Sequence, residues 1–471
     1  MKTIFEYNSK STEYFSVPEI KIDIPSKYLT DKPKGLPEIS ESEVVRHFTN
    51  LSRKNFGVDT GFYPLGSCTM KYSPKIDESL SLRKEITDTH PLTPLEACQG
   101  LLRILADFER ILCELSGMDR VSFQPAAGAQ GELSGLLMIK KWHKDHNQDQ
   151  RIDIIVPDSS HGTNPASASM AGFKVREIPS DPEGLVDIEE LKKVCNSKTA
   201  GLMLTNPNTL GLFENRIKDI AKIIHDAGGL LYYDGANFNA LMGICRPRDM
   251  DFDIMQFNLH KTFSTPHGGG GPGAAPVAAK DELVNYLPGF LIEKDNERLC
   301  FSVPSKSIGS LRTFYGNFNV IVKAWIYCKI LGFYGLRKTS EMAVLNARYL
   351  FTKLQNFIDI PFKPCLHEFV ASAVKQMKKG CRAFDIAKRL IDMGYHPPTV
   401  YFPLIVKEAL MIEPTETESL QTLDRFIEDF INILKEVEET PELLLSAPHN
   451  MPVGRIDEAQ AARELIKKAQ I

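Results

Sequence analysis

Between residues 152 and 257 short apolar runs alternate with amphipathic stretches, and this alternation restricts the chain to few folds. The runs at 152–156, 201–205, 229–233 and 253–257 read as strands. Between them Asp187 and Glu190 cap one helix, and residues 217–225 form another, closed by Ala227, Gly228 and Gly229. Strands alternating with helices favour a parallel sheet covered by helices, so the predicted class is α/β. In such a sheet the loops after the strands share one edge, where open α/β sheets place their ligands.

Each of the four strands is followed by a polar group of a different kind. His161 lies in SSHGTNP, Asn206 in NPNTLG, Asp234 in DGAN, and Lys261 beside His260 in the stretch FDIMQFNLHKTFSTPHGGGGPG, residues 252–273. A lysine just past a buried strand can be desolvated and act as a nucleophile toward carbonyls. The four glycines at 268–271 let backbone approach a bulky ligand. A fifth element, Ala127-Gly128-Ala129, is a small-residue turn entering a helix, and free N–H groups at a helix start make an anion site. Taken singly, each has an ordinary role. Lys261 could be a surface lysine, Asp234-Gly235 a turn, His161 a helix cap, Asn206-Pro207 a turn start, and the small residues a packing device. Together they match the needs of an aldehyde cofactor with a phosphate and a basic ring nitrogen. Lys261 supplies the Schiff-base amine, Asp234 a carboxylate for the ring nitrogen, His161 a flat group for the ring face. Ala127, Gly128 and Ala129 supply phosphate donors, and Asn206 a partner for the ring hydroxyl.

The rest of the chain sets limits. With 43% apolar and 25% charged residues it is an ordinary globular sequence, and its net charge of −4 suggests neither nucleic acid nor an anionic membrane as partner. No run of roughly eighteen apolar residues occurs, so no transmembrane helix is expected. The N-terminus reads as neither a signal nor a transit peptide. Nine scattered cysteines without a CxxC pair argue against disulfides and zinc, and for a reducing cytoplasm. We divide the chain into an N-terminal arm with a helical and loop segment (1–90), a large domain (91–340) and a small C-terminal α/β domain with tail (341–471). In the first part, proline-punctuated residues 1–38 read as an arm wrapped on a partner or on the body, and Ser40 with Glu43 forms a capping box. Residues 59–75, DTGFYPLGSCTMKYSPK, form a long aperiodic connection of the functional kind, in which Cys68 is a buried filler or a reactive thiol. The stretch up to 345 reads as helical after SIGSLRTFYGN (307–317), 383–393 as a helix ended by Gly394, YHPPTVYFPLIV and LMIEP as strand-like, and 420–439 as a helix. The tail starts extended and ends as a charged helix.

The motifs PLGSCTMKYSPK, QPAAGAQGE, DSSHGTNPASA, LTNPNTLGLFE, DGANFNA, NLHKTFSTPHGGGGPG, KSIGSLRTFYGNF and FPLIVKEALMIEPTETES are long and specific, and span nearly the whole chain. In them the sequence resembles the glycine cleavage system P-protein family, glycine dehydrogenase (decarboxylating). Within it the chain is most similar to the cofactor-bearing half of the split, two-chain bacterial form. The resemblance implies the fold of type I pyridoxal-phosphate enzymes, with a large mainly parallel-sheet domain, a small C-terminal domain and sites near a subunit interface. It implies pyridoxal 5'-phosphate as a Schiff base on Lys261, Asp234 at the ring nitrogen and His161 on the ring, with Ala236 among the cofactor-binding residues. It implies glycine as substrate, loss of carbon dioxide, and transfer of the aminomethyl group to the lipoyl arm of H-protein. Lys261 or His260 would move protons. The partner would be subunit 1, related but lacking the lysine, in a heterotetramer of two of each. The PLGSCTMKY loop and the glycine run are candidate channel walls. The tail AARELIKKAQI and Ser310 depart from the usual family pattern, both outside the cofactor cluster. Two other readings stand beside this one: another fold-type-I enzyme, such as an amino-acid decarboxylase or aminotransferase, and a non-catalytic partner subunit.

Overall fold

The computed structural model describes residues 3–7, 23–29, 37, 39–268 and 271–464. Most of the N-terminal arm, two of the four glycines (Gly269 and Gly270) and the end of the tail lie outside them. The central sheet has seven strands: β1 (Arg120–Ser122), β2 (Asp153–Pro157), β3 (Lys174–Ile178), β4 (Thr199–Thr205), β5 (Leu230–Gly235), β6 (Ile254–Phe257) and β7 (Val277–Ala279). Their order is β1-β7-β6-β5-β4-β2-β3. Neighbours from β6 through to β3 are parallel, and β7 runs antiparallel between β1 and β6.

Strands β2, β4, β5 and β6 are buried along their whole length, as expected of parallel strands covered on both faces. Their side chains divide by alternation. Ile155, Leu202, Leu204, Leu231, Tyr233, Met255 and Phe257 enter one core, packed on Leu105, Phe108 and Leu112 of helix Gln99–Ser116 and on Ile220 and Ile224 of helix Ile217–Asp226. Ile154, Val156, Met203, Tyr232 and Ile254 enter the opposite core with Leu136, Met138 and Ile139 of helix Gly128–Asp145. That helix lies close on the sheet. A Cβ on Gly135 would meet the Tyr232 ring at 2.2 Å. Each large apolar side chain buried in these cores contributes about 1.5–3 kcal/mol.

Strand β3 escapes the sequence pattern because it is an edge, exposing Lys174, Arg176 and Glu177. Strands β1 and β7 have only three residues each, too short for a period. The hairpin of β8 (Leu291–Asp295) and β9 (Arg298–Ser302) was likewise not expected. The helix expected after SIGSLRTFYGN begins there, at Phe318, but runs past 345 to Leu354. Residues 307–317 are irregular, and the helical stretch Phe318–Leu354 is two helices meeting at Gly332, whose φ of 58° and ψ of −179° break the hydrogen-bond ladder.

The C-terminal part has its own sheet, β10 (Phe369–Ser372), β12 (Ala409–Ile412) and β11 (Thr399–Val400), antiparallel in that order. Pro397, Pro398 and Pro403 flank β11 and confine it to two residues. Phe369, Leu410, Ile412 and, from helix Leu420–Glu439, Phe426 and Phe430 fill its core. Phe62 joins them from far upstream. The 59–75 connection therefore belongs to this sheet: Leu65 bridges Ile412, and Gly66 N–H donates to Met411 O at 3.2 Å. A side chain on Gly66 would lie 2.1 Å from Met411 Cγ. Helix Glu41–Ser52 starts at the capping box expected of Ser40 and Glu43. Among the described residues no helix is long and apolar enough to cross a membrane.

Candidate active site

The parallel strands bring the expected groups to one edge. Asp234 is the last residue but one of β5, and Lys261 follows β6 by a short turn. His161 sits beyond β2, and the turn after β1 leads into helix Gly128–Asp145. The charges of Lys261 and Asp234 both reach the His161 ring.

Asp234 is 1% exposed. Its Oδ1 accepts from Gln256 Nε2 at 2.7 Å and from Ala236 N–H at 3.0 Å, and its Oδ2 accepts from Asn164 Nδ2 at 3.1 Å and Thr205 Oγ1 at 3.3 Å. Four donors fix the carboxylate. Ala236 thus contributes its N–H to the carboxylate. The His161 imidazole has its basicity lowered, first by burial and then by Lys261, so it is a neutral ring near pH 7. Its Nδ1 lies 3.0 Å from Thr163 Oγ1, which donates to Glu132 Oε1 at 2.8 Å. Glu132 also accepts from Ser167 Oγ at 3.0 Å, and its carboxyl is pushed up to about 7, by burial and by the Asp234 charge.

Helix Gly128–Asp145 has no side-chain cap, and its first ladder bond runs from Gly131 N–H to Ala127 O at 2.9 Å. The amides of Gly128 and Ala129 thus precede the ladder, the arrangement an anion requires. Lys261 Nζ donates to the Ser67 carbonyl at 2.9 Å. The 59–75 loop is therefore a wall of the site. Cys68 in that loop has its thiol pushed up by burial, which disfavours the reactive thiolate and fits the filler role.

Asn206 is fully buried, and its amide is spent on the Glu214 backbone: Oδ1 accepts from Glu214 N–H at 3.0 Å and Nδ2 donates to Glu214 O at 3.4 Å. It shapes its own loop. His260 is pushed down to about 3, by burial first and then by Lys261 and His267, and its buried Nδ1 has no partner. It is neutral and a weak base. The supporting residues Glu132, Thr163, Asn164 and Gln256 were missed, although three lie inside the motifs QPAAGAQGE and DSSHGTNPASA. Only the fold shows that their side chains converge on Asp234 and His161.

A doubly covered, mainly parallel sheet with a lysine, a fixed carboxylate, a neutral imidazole and an uncapped helix start along one edge is the architecture of the fold-type-I pyridoxal-phosphate enzymes. The donor set suits that cofactor: a carboxylate for a ring nitrogen, free amides for a phosphate, an amine for an aldehyde. Solved structures agree on the fold. The crystal structure of an inhibitor-bound glycine decarboxylase (P-protein) of the glycine cleavage system has a TM-score of 0.74 at 21% identity, covering 87% of this chain and 93% of that one. Glutamate decarboxylase of Lactobacillus brevis has a TM-score of 0.69 at 13% identity, covering 93% and 99%. Residues 14–299 match the glycine cleavage system P-protein family, and 339–451 match the glycine dehydrogenase C-terminal domain. The chain belongs to the glycine cleavage system P-protein family. It is 55% identical over 470 residues to a probable glycine dehydrogenase (decarboxylating) subunit 2 of Caldanaerobacter subterraneus subsp. tengcongensis, covering 98% of this chain and 97% of the relative. It is 53% identical over 467 residues to the protein of the same description in Thermotoga maritima, covering 98% of each.

Proposed function

We propose that this chain is the cofactor-bearing subunit of a two-chain glycine decarboxylase. With subunit 1 it removes carbon dioxide from glycine and passes the aminomethyl group to the lipoyl arm of H-protein. The observation that carries the reading is that Lys261, Asp234 and His161 lie at or beyond the same ends of the parallel strands β6, β5 and β2, in a chain that follows P-protein relatives over nearly its full length. When bound, pyridoxal 5'-phosphate supplies the electron sink for the pair released as carbon dioxide leaves. Asp234, held by four donors, keeps a ring nitrogen protonated. His161, neutral and tied to Thr163, offers a flat face. Gly128 and Ala129 amides hold a phosphate at the helix start. Lys261 carries the aldehyde and, between His260 and itself, is the group that moves protons, because His260 at about 3 has too little basicity. All nine cysteines are free, which supports a cytoplasmic location.

The test is exchange of labelled carbon dioxide into the carboxyl of glycine, with this chain, its partner subunit and lipoylated carrier, each omitted in turn. Exchange that needs all three is expected. A complex that binds the cofactor but gives no exchange would overturn the reading in favour of another fold-type-I enzyme.

A further inference from the structure

We propose that Glu368 is a positioning residue for Lys261, acting through the backbone of Ser67 to hold the lysine amine whenever it is not joined to the cofactor. The inference rests on the function proposed above. Lys261 Nζ donates to the Ser67 carbonyl at 2.9 Å, and Ser67 N–H donates to Glu368 Oε2 at 2.7 Å. Glu368 is fully buried, and its other oxygen accepts from Asn237 Nδ2 at 3.1 Å. Both carboxylate oxygens are thus used, one on the loop and one on the turn after β5.

Ser67 has a φ of 62°, a left-handed conformation that residues with side chains adopt only when their surroundings impose it. Here both flanks are anchored. On one side Gly66 is tied to Met411 and its carbonyl accepts from Thr399 Oγ1 at 2.8 Å; on the other Thr69 Oγ1 donates to buried Glu413. The Ser67 carbonyl is therefore a fixed acceptor.

The catalytic cycle frees the lysine each time a substrate amine takes its place. A free lysine side chain has many rotamers and three rotatable donors. An acceptor fixed beside the site confines it and shortens its way back. With its oxygens held by Ser67 and Asn237, Glu368 works by fixing the acceptor.

Glu368→Leu fills the same space without an acceptor, whereas Glu368→Gln keeps a carbonyl for Ser67. Both are compared with wild type in the complex with the partner subunit. Stopped-flow absorbance follows the lysine–cofactor linkage as it forms from pyridoxal 5'-phosphate and cofactor-free complex. Glu368→Leu should slow formation by about tenfold or more, as small misplacements of reacting groups do. Glu368→Gln should stay within about threefold of wild type, because its amide oxygen can still accept from Ser67 N–H. Unchanged rates in both variants would overturn the proposal. Equal losses in both would overturn it too, since charge and not the held carbonyl would then be the cause. If Glu368→Leu does not assemble, Ser67→Gly decides. It keeps both backbone groups but frees the turn, and formation should slow at least about threefold; an unchanged rate overturns the proposal. Unchanged variants in a complex that shows the linkage band and exchanges carbon dioxide into glycine would count against this proposal alone. A wild-type complex without the band would remove the functional reading beneath it as well.

Discussion

Lys71 and Glu416 form an ion pair of 2.9 Å between the 59–75 loop and the C-terminal part, with side chains only 1% and 9% exposed. Lys71 Nζ also donates to Asn239 Oδ1 at 2.9 Å and Tyr327 OH at 3.2 Å, so one buried cation joins the turn after β5, the helical stretch Phe318–Leu354 and the C-terminal part. Removing one member of such a pair strands the other charge. Lys71→Met should cost about 3–5 kcal/mol in urea unfolding, and adding Glu416→Gln should recover part of that loss. A cost below about 1 kcal/mol would show that the pair is not buried in solution.

Lys261→Ala should lose all turnover and the visible band of the lysine–cofactor linkage, with little change in melting, since this lysine is only half-buried. Full exchange activity in this variant without added amine would disprove its role.

Asp234→Asn keeps the shape but sets an NH2 group against the donors that now surround the carboxylate. It also removes the negative charge that keeps a ring nitrogen protonated. With cofactor still bound, kcat should fall by about a hundredfold or more. A kcat within a few-fold of wild type would mean that another group protonates the ring.

Glu132 gives a pH signature in stability. Its carboxyl is pushed up to about 7 by burial and by Asp234, above the ordinary value of 4.5. Between those values the folded protein binds more protons than the unfolded one, so the contribution of Glu132 is complete below the lower value and is lost as pH rises through the higher. Glu132→Gln cannot ionise. Its stability relative to wild type should improve steadily from about pH 5 to pH 8 in urea titrations, and a constant difference would refute the assignment.

Gly66→Ala places a Cβ 2.7 Å from the Met411 carbonyl oxygen as well as against its side chain. The loop would have to lift from β12. Stability should fall by about 1–3 kcal/mol, as in other overpacked sites, and exchange activity should fall with it. Wild-type activity would show that the loop tolerates displacement.

The sheet edge was legible because β2, β4, β5 and β6 are buried on both faces and read as continuous apolar runs, each ending in a distinctive polar residue. The placement of Lys261, Asp234 and His161 along that edge follows from this pattern. What was hidden has physical causes. Edge strand β3 carries charges, and β1 and β7 are too short to show a period. The engagement of the Asn206 amide with the Glu214 backbone leaves no mark in the sequence, since a buried amide has the same letters whatever it bonds. Glu368 gives no local signal, since its importance lies in a contact with Ser67 across most of the chain.

The pairing of Leu65 with Ile412 has a consequence for synthesis. The ribosome makes the wall against which Lys261 rests long before the strand that anchors it. Contacts of such sequence separation form late in folding. A nascent chain halted before β12 can build the large sheet and still lack the anchored wall of the site, so loading belongs to a chain that already includes β12.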